Sequence, residues 1–130
     1  MTQVTAAILI RDGKILIAQR GAHDKLAHKW EFPGGKILQN ETPEQCLSRE
    51  MHEEFGIDVA VGALFGETIH QYPHGCIRLM AYHTYWEGER LSLNVHAAYR
   101  WVPLSQLDEF DFSPADIYFV KKLQNPVADL

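Results

Sequence analysis

One stretch constrains this chain more than any other: residues 34–57, GGKILQNETPEQCLSREMHEEFGI. It opens on a glycine pair after Phe32-Pro33 and closes at Gly56-Ile57, with Glu41, Arg49, Glu50, Glu53 and Glu54 between. Its middle is punctuated as a helix. Thr42 suits an N-cap, Pro43 the first helical position, and Gln45 completes a capping box three residues after the cap. Gly56 fits the position where a chain leaves a helix in a left-handed conformation. Leu47, Met51 and Phe55 recur every four residues, an apolar stripe that predicts packing on a sheet. At ~100° per residue, Glu50, Glu53 and Glu54 gather on the neighbouring face.

Charges at helical spacing are usually just a solvated face. Three features argue for more here. Like charges at i, i+3 and i+4 repel, and only Arg49 stands nearby to offset them. Glu41 is set in the preceding loop, and the Gly34-Gly35 pair permits close backbone approach to a ligand. Carboxylate oxygens without nitrogen or sulfur partners suit hard divalent cations, which points to phosphate chemistry. Other chemistries lack their signatures. The seven histidines include no HExxH and no zinc spacing, and there is no GxSxG elbow, Walker A lysine or GxGxxG. Cys46 lies close to the carboxylates, whose charge raises a thiol pKa, so it is a poor nucleophile.

The remainder reads as strands with one further helix. Residues 3–10 form a strand, Arg11-Asp12-Gly13-Lys14 a hairpin turn, and residues 14–20 a return strand with Ile15 and Ile17 alternating against Leu16 and Ala18. Residues 21–29 form a polar loop, and Trp30-Glu31-Phe32 a short strand delivering the chain to the glycines. Residues 58–70 and 76–86 are rich in branched and aromatic side chains and pair across Tyr72-Pro73-His74-Gly75. A last strand covers 96–102 and a short helical turn 103–107. Ser113-Pro114 then opens a second helix through about Leu123, with Ile117, Val120 and Leu123 as its apolar side. This order predicts a mixed β-sheet covered by two main helices, an α/β/α sandwich.

A length of 130 residues suits a single domain over 1–130. With 12 Lys+Arg against 17 Asp+Glu and no basic cluster, long nucleic acid is a disfavoured partner. No segment approaches the ~20 apolar residues of a membrane span. Two cysteines build no disulfide framework, and the N-terminal apolar run ends at once in Arg11-Asp12-Gly13, so a cytoplasmic protein is expected.

The spacing Gly35-x5-Glu41-x7-Arg49-Glu50-Met51-x-Glu53-Glu54-x-Gly56-Ile57 resembles the complete box of the Nudix family. The hairpin AAILIRDGKILIAQR, then WEFPGGK, then FSPADIYFVKKL are similar to its MutT branch, so the likeness covers most of the chain. That branch comprises 8-oxo-dGTP and CTP pyrophosphohydrolases. The resemblance implies a Nudix α/β/α sandwich and a magnesium or manganese site made by Glu50, Glu53, Glu54 and the Gly34 carbonyl. It implies that Arg49 orients Glu50, that Glu41 supports the site, and that Glu53 and Glu50 are both candidates for the base. Arg20 and Lys36 fall at phosphate-facing positions. Asp116 occupies the base-reading position, where MutT has asparagine, with Phe32 and Leu79 beside it. One departure stands out. A glutamate that many relatives carry six residues before the last strand's tryptophan is Val95 here, leaving His96, a water or the helix carboxylates alone to serve.

The implied reaction is attack of water on the β-phosphorus of a nucleoside triphosphate, giving a nucleoside monophosphate and pyrophosphate. The implied task is sanitising oxidised nucleotides such as 8-oxo-dGTP. An ionised Asp116 would only accept hydrogen bonds, which suits guanine N1–H and N2–H2 or the cytosine amino group. CTP, dCTP or a 5-substituted cytosine nucleotide is therefore the alternative substrate. A nucleoside diphosphate-sugar hydrolase and a non-catalytic binding module follow behind. The partner is a small nucleotide, and the assembly a monomer or homodimer.

Overall fold

In a computed structural model, described for residues 1–126, the first strand runs Thr2–Arg11 (β1) and turns through Asp12-Gly13 into Lys14–Gln19 (β2). Trp30–Glu31 (β3) and Gly34–Lys36 (β4) precede the first helix, Pro43–Phe55 (α1). Ala60–Tyr72 (β5) and Gly75–Tyr85 (β6) form a long hairpin. Ala98–Pro103 (β7), a 3-10 helix at Leu104–Glu109 and a second helix at Pro114–Gln124 (α2) complete the described chain.

The strands form one mixed seven-stranded sheet in the order β3-β2-β1-β6-β5, with β4 also pairing β1 and β7 also pairing β2. β1 runs parallel to β6 from Thr2↔Ile77 to Leu9↔Thr84, and antiparallel to β2 and β4. Alternation along β1 and β2 decides how the two faces are covered. Ala6, Ile8, Ile15 and Ile17 point to one face, where they meet Phe32, Leu79, Phe119 and Val120. Ala7, Leu9, Leu16 and Ala18 point to the other, where Leu47, Met51 and Phe55 of α1 cover them. The expected α/β/α layering is thus observed, and the apolar stripe of α1 is fully buried.

Several local expectations need correction. The glycine pair is not loop: Gly34 and Gly35 pair with Ala6 and Thr5 as β4, because the first half of β1 still has an edge to satisfy. In α2 the expected apolar side is met at Val120 and Leu123, which pack on the core, but not at Ile117. Ile117 is 40% exposed, whereas Ala115, Asp116, Phe119 and Val120 are buried. Ala115 and Phe119, four residues apart, set the rotation of the helix. The last strand starts at Ala98, so His96 lies in the preceding loop. The long hairpin is also displaced by about two residues, its turn reduced to Pro73-His74.

Candidate active site

The cap and exit of α1 aim its carboxylates. Thr42 Oγ1 accepts from Gln45 N–H at 3.1 Å, and Gln45 Oε1 accepts from Thr42 N–H at 3.0 Å. At the far end Gly56 takes φ 67°, and its N–H donates to His52 O at 2.9 Å. The loop before β7 satisfies further carbonyls of the last turn. Ser92 N donates to Phe55 O at 2.9 Å, Asn94 N to Glu54 O at 3.1 Å, and Asn94 Nδ2 to Glu53 O at 2.9 Å. Helix termini leave such groups without intrahelical partners, so these contacts fix where the carboxylates stand.

Arg49 organises the outer part of the cluster. Its guanidinium donates to Glu41 at 2.7 and 3.0 Å, to Glu50 Oε1 at 2.8 Å, to Glu53 Oε2 at 3.2 Å and to Lys36 O at 3.1 Å. These bonds pull the Glu41 carboxyl down to about 2, and they hold the guanidinium firmly charged. Leu38 N–H adds a bond to Glu41 at 2.9 Å. Glu53 is the most open of the three helix carboxylates, its side chain 56% exposed.

Glu54 is the reverse case. Its side chain is buried and its Oε1 has no hydrogen-bond partner. Burial above all, then the nearby charge of Glu50, pushes its carboxyl up to about 9. The glycine backbone closes the site from the other side. A Cβ on Gly35 would run into the Glu50 carboxylate, and one on Gly34 into the carbonyl of Thr5. Only glycine allows this approach.

Of these residues, Glu54, Gly34, Gly35 and Lys36 border a cleft of about 710 Å³. Arg20, Phe32, Leu79, Tyr72 and Asp116 line it as well. Every substrate-facing residue expected from the sequence therefore borders one cavity. Arg20 is already engaged, with Asp24 at 2.6 Å and Glu31 at 2.9 Å. Asp116 is buried and its Oδ1 accepts from Phe32 N–H at 3.0 Å. Burial, with Glu31 adding to it, pushes the Asp116 carboxyl well above its usual range. That bears on the sequence-based argument, which took an ionised Asp116: burial works against the charged form. Cys46 is likewise buried, and burial, more than its acidic neighbours, raises its thiol pKa.

One residue that the sequence did not single out joins His96, which it did. Glu31 spans Arg20 and His96, with Oε2 lying 2.8 Å from His96 Nε2. A charge between two aromatics in Trp30-Glu31-Phe32 was its only local signal. His96 is buried between Glu31 and Glu54, 3.6 Å from Glu54 Oε2. Val95 borders the cleft with an apolar side chain that is 65% exposed and offers no ligand atom.

Among the described residues, no three His, Cys, Asp or Glu side chains already form a metal cage. The donor chemistry nevertheless fits a hard cation. Glu54 leaves a buried oxygen unsatisfied and Glu53 is open to solvent. Glu50, Glu53, Glu54 and the Gly34 carbonyl are the residues that could hold it.

Comparison with known proteins agrees with this geometry. The family model for the NUDIX domain matches residues 5–122. The CTP pyrophosphohydrolase of Escherichia coli (strain K12) is 38% identical over 117 residues, 90% of this chain and 87% of that protein. The 8-oxo-dGTP diphosphatase of the same strain is 36% identical over 124 residues, covering 94% of this chain and 95% of that protein. The solution structure of the E. coli ORF135 protein superimposes with a TM-score of 0.86 at 36% identity, covering 99% of this chain and 92% of that one. The chain belongs to the NUDIX family and is a hydrolase acting on phosphoric anhydride bonds.

Proposed function

We propose that this chain hydrolyses nucleoside triphosphates to a nucleoside monophosphate and pyrophosphate, with magnesium or manganese as cofactor. The observation that carries the reading is the unsatisfied, buried oxygen of Glu54 in the same cleft as Arg20, Lys36, Phe32 and Asp116. The acidic oxygens suit a cation, the basic side chains phosphates, and the apolar lining with Asp116 a nucleoside. A bound divalent cation supplies charge neutralisation, polarisation of a phosphoryl oxygen and a lowered pKa for water.

The chain's own residues divide the remaining work. Arg49 holds Glu50 against the Gly35 backbone, so Glu50 meets the substrate in one orientation. Glu53 keeps only its 3.2 Å contact with Arg49, and is therefore freest to take a proton from the attacking water. Water adds to the β-phosphorus, the α–β anhydride bond breaks with the nucleoside monophosphate as leaving group, and the water oxygen stays in the pyrophosphate. Lys36 and Arg20 border the path of the phosphates, Arg20 by exchanging a carboxylate partner for a phosphate oxygen. We place Phe32 and Leu79 against the base.

An oxidised purine nucleotide such as 8-oxo-dGTP is the first substrate to consider. A cytosine nucleotide is the second, its amino group offering a donor to the Asp116 carboxyl. A magnesium-dependent screen of canonical, oxidised and 5-substituted triphosphates, read by pyrophosphate release and ranked by kcat/KM, tests both. Hydrolysis confined to nucleotide sugars, which release no pyrophosphate, would overturn the triphosphate assignment. Asp116→Asn preserves an acceptor and should keep the ranking of bases, whereas Asp116→Ala should flatten it. A ranking untouched by Asp116→Ala would remove this residue from base reading.

A further inference from the structure

We propose that His96 is a positioning residue that sorts the two carboxylates beside it, committing Glu31 to Arg20 and leaving Glu54 for the cation. The inference rests on the reading of Glu50, Glu53 and Glu54 as the cation-binding carboxylates. Its support is the unequal treatment of two acids on either side of one buried ring.

The imidazole is 3% exposed and stacks on Phe55 with centroids 5.2 Å apart and planes at 14°. Its Nε2 lies 2.8 Å from Glu31 Oε2, while Arg20 Nη1 occupies Glu31 Oε1 at 2.9 Å. Both oxygens of Glu31 are therefore taken. On the opposite edge Nδ1 faces Glu54 Oε2 at 3.6 Å, beyond hydrogen-bond range, and neither Nδ1 nor Glu54 Oε1 has a hydrogen-bond partner. One carboxylate is saturated and the other left open. Buried polar atoms without partners are rare and call for a reason. Here they border the cleft where a cation would be bound.

The backbone holds the ring in this position from both sides. Ser92 and Asn94 bond the last turn of α1, and Ala97 N donates to Gln19 O of β2 at 2.9 Å. His96 is thus suspended between the helix that carries Glu54 and the strand that leads to Arg20. Without its nitrogens, Glu31 would lose one of its two partners and become free to turn toward the cation. Glu54 would then share the site with a second, misplaced acid. Residues that orient the groups around a metal site typically change metal affinity about 10- to 100-fold when removed.

The test is Mn2+ binding to the nucleotide-free protein, followed by electron paramagnetic resonance, in wild type, His96→Phe and His96→Gln. Phenylalanine keeps the stack on Phe55 and removes both nitrogens. Glutamine restores a donor toward Glu31. The expected result is about 10- to 100-fold weaker Mn2+ binding by His96→Phe, substantial recovery in His96→Gln, and a kcat loss in His96→Phe that excess metal partly restores. Folded His96→Phe protein that binds Mn2+ within about twofold of wild type overturns the inference alone. Failure of wild type to bind Mn2+ overturns the cation reading and this inference with it. Nitrogen NMR of wild-type protein labelled in histidine keeps the test independent of folding in the variant. Mg2+ should shift the His96 ring resonances, and their indifference to Mg2+ would also overturn the proposal.

Discussion

At the scale of single residues, three glutamates within five positions have three different environments. Glu50 is clamped by Arg49, Glu53 is open, and Glu54 is buried with an unsatisfied oxygen. Glu53→Gln should lower kcat by about two to four orders of magnitude, the usual range for a lost general base, and leave thermal unfolding nearly unchanged. A Glu53→Gln enzyme with wild-type turnover would move the base elsewhere. Glu54 makes a different prediction. Its folded-state pKa is raised to about 9, so the folded chain retains a proton that the unfolded chain releases above its ordinary carboxyl pKa. Stability of the metal-free protein should therefore fall as pH rises from about 4.5 to about 9. Glu54→Gln should flatten that slope, with Asp116 retaining a contribution of the same sign. Melting temperatures across this range in excess chelator check it, and an unchanged slope in Glu54→Gln would contradict it. The contact of Arg49 with Glu50 was implied by the resemblance, but the openness of Glu53 and the burial of Glu54 were not legible from residue type. Spacing places the three acids on one helix face, but burial and partners depend on the loop at 92–96 and on the glycine strand.

At the scale of elements, α1 was readable almost completely because its signals are local. Thr42, Pro43, Gln45 and Gly56 act within a few residues of where they stand, and the structure shows the capping box and the left-handed exit. Thr42→Ala removes one bond of the box and loosens the other, and should cost about 1 kcal/mol in urea unfolding. An unaltered unfolding midpoint would mean that packing of Leu47, Met51 and Phe55 holds the helix without its cap. The second helix was harder to read. Ile117, Tyr118, Phe119 and Val120 are consecutive apolar residues, so periodicity could not choose a face, and Ile117 ended outside. β4 was misread for a related reason. Two glycines carry no side-chain pattern, and their pairing with Thr5 and Ala6 depends on a strand about thirty residues away.

At the scale of the molecule, the sheet brings distant parts of the chain to one cleft. Glu31 meets His96 across 65 positions, and Asp116 meets Phe32 across 84. Contacts of that range lie beyond local patterning, which explains why Glu31 was missed while the box from Gly34 to Ile57 was not. Among the described residues, no helix is long and apolar enough to cross a membrane. The central claim is that this cleft holds the nucleoside and directs water to the β-phosphorus with a divalent cation. Hydrolysis of a preferred triphosphate in 18O-labelled water, with mass spectrometry of both products, tests it most directly. The expected result is label in pyrophosphate, none in the nucleoside monophosphate, and no turnover when EDTA exceeds Mg2+. Label in the monophosphate, or turnover that persists with the metal chelated, would contradict the account.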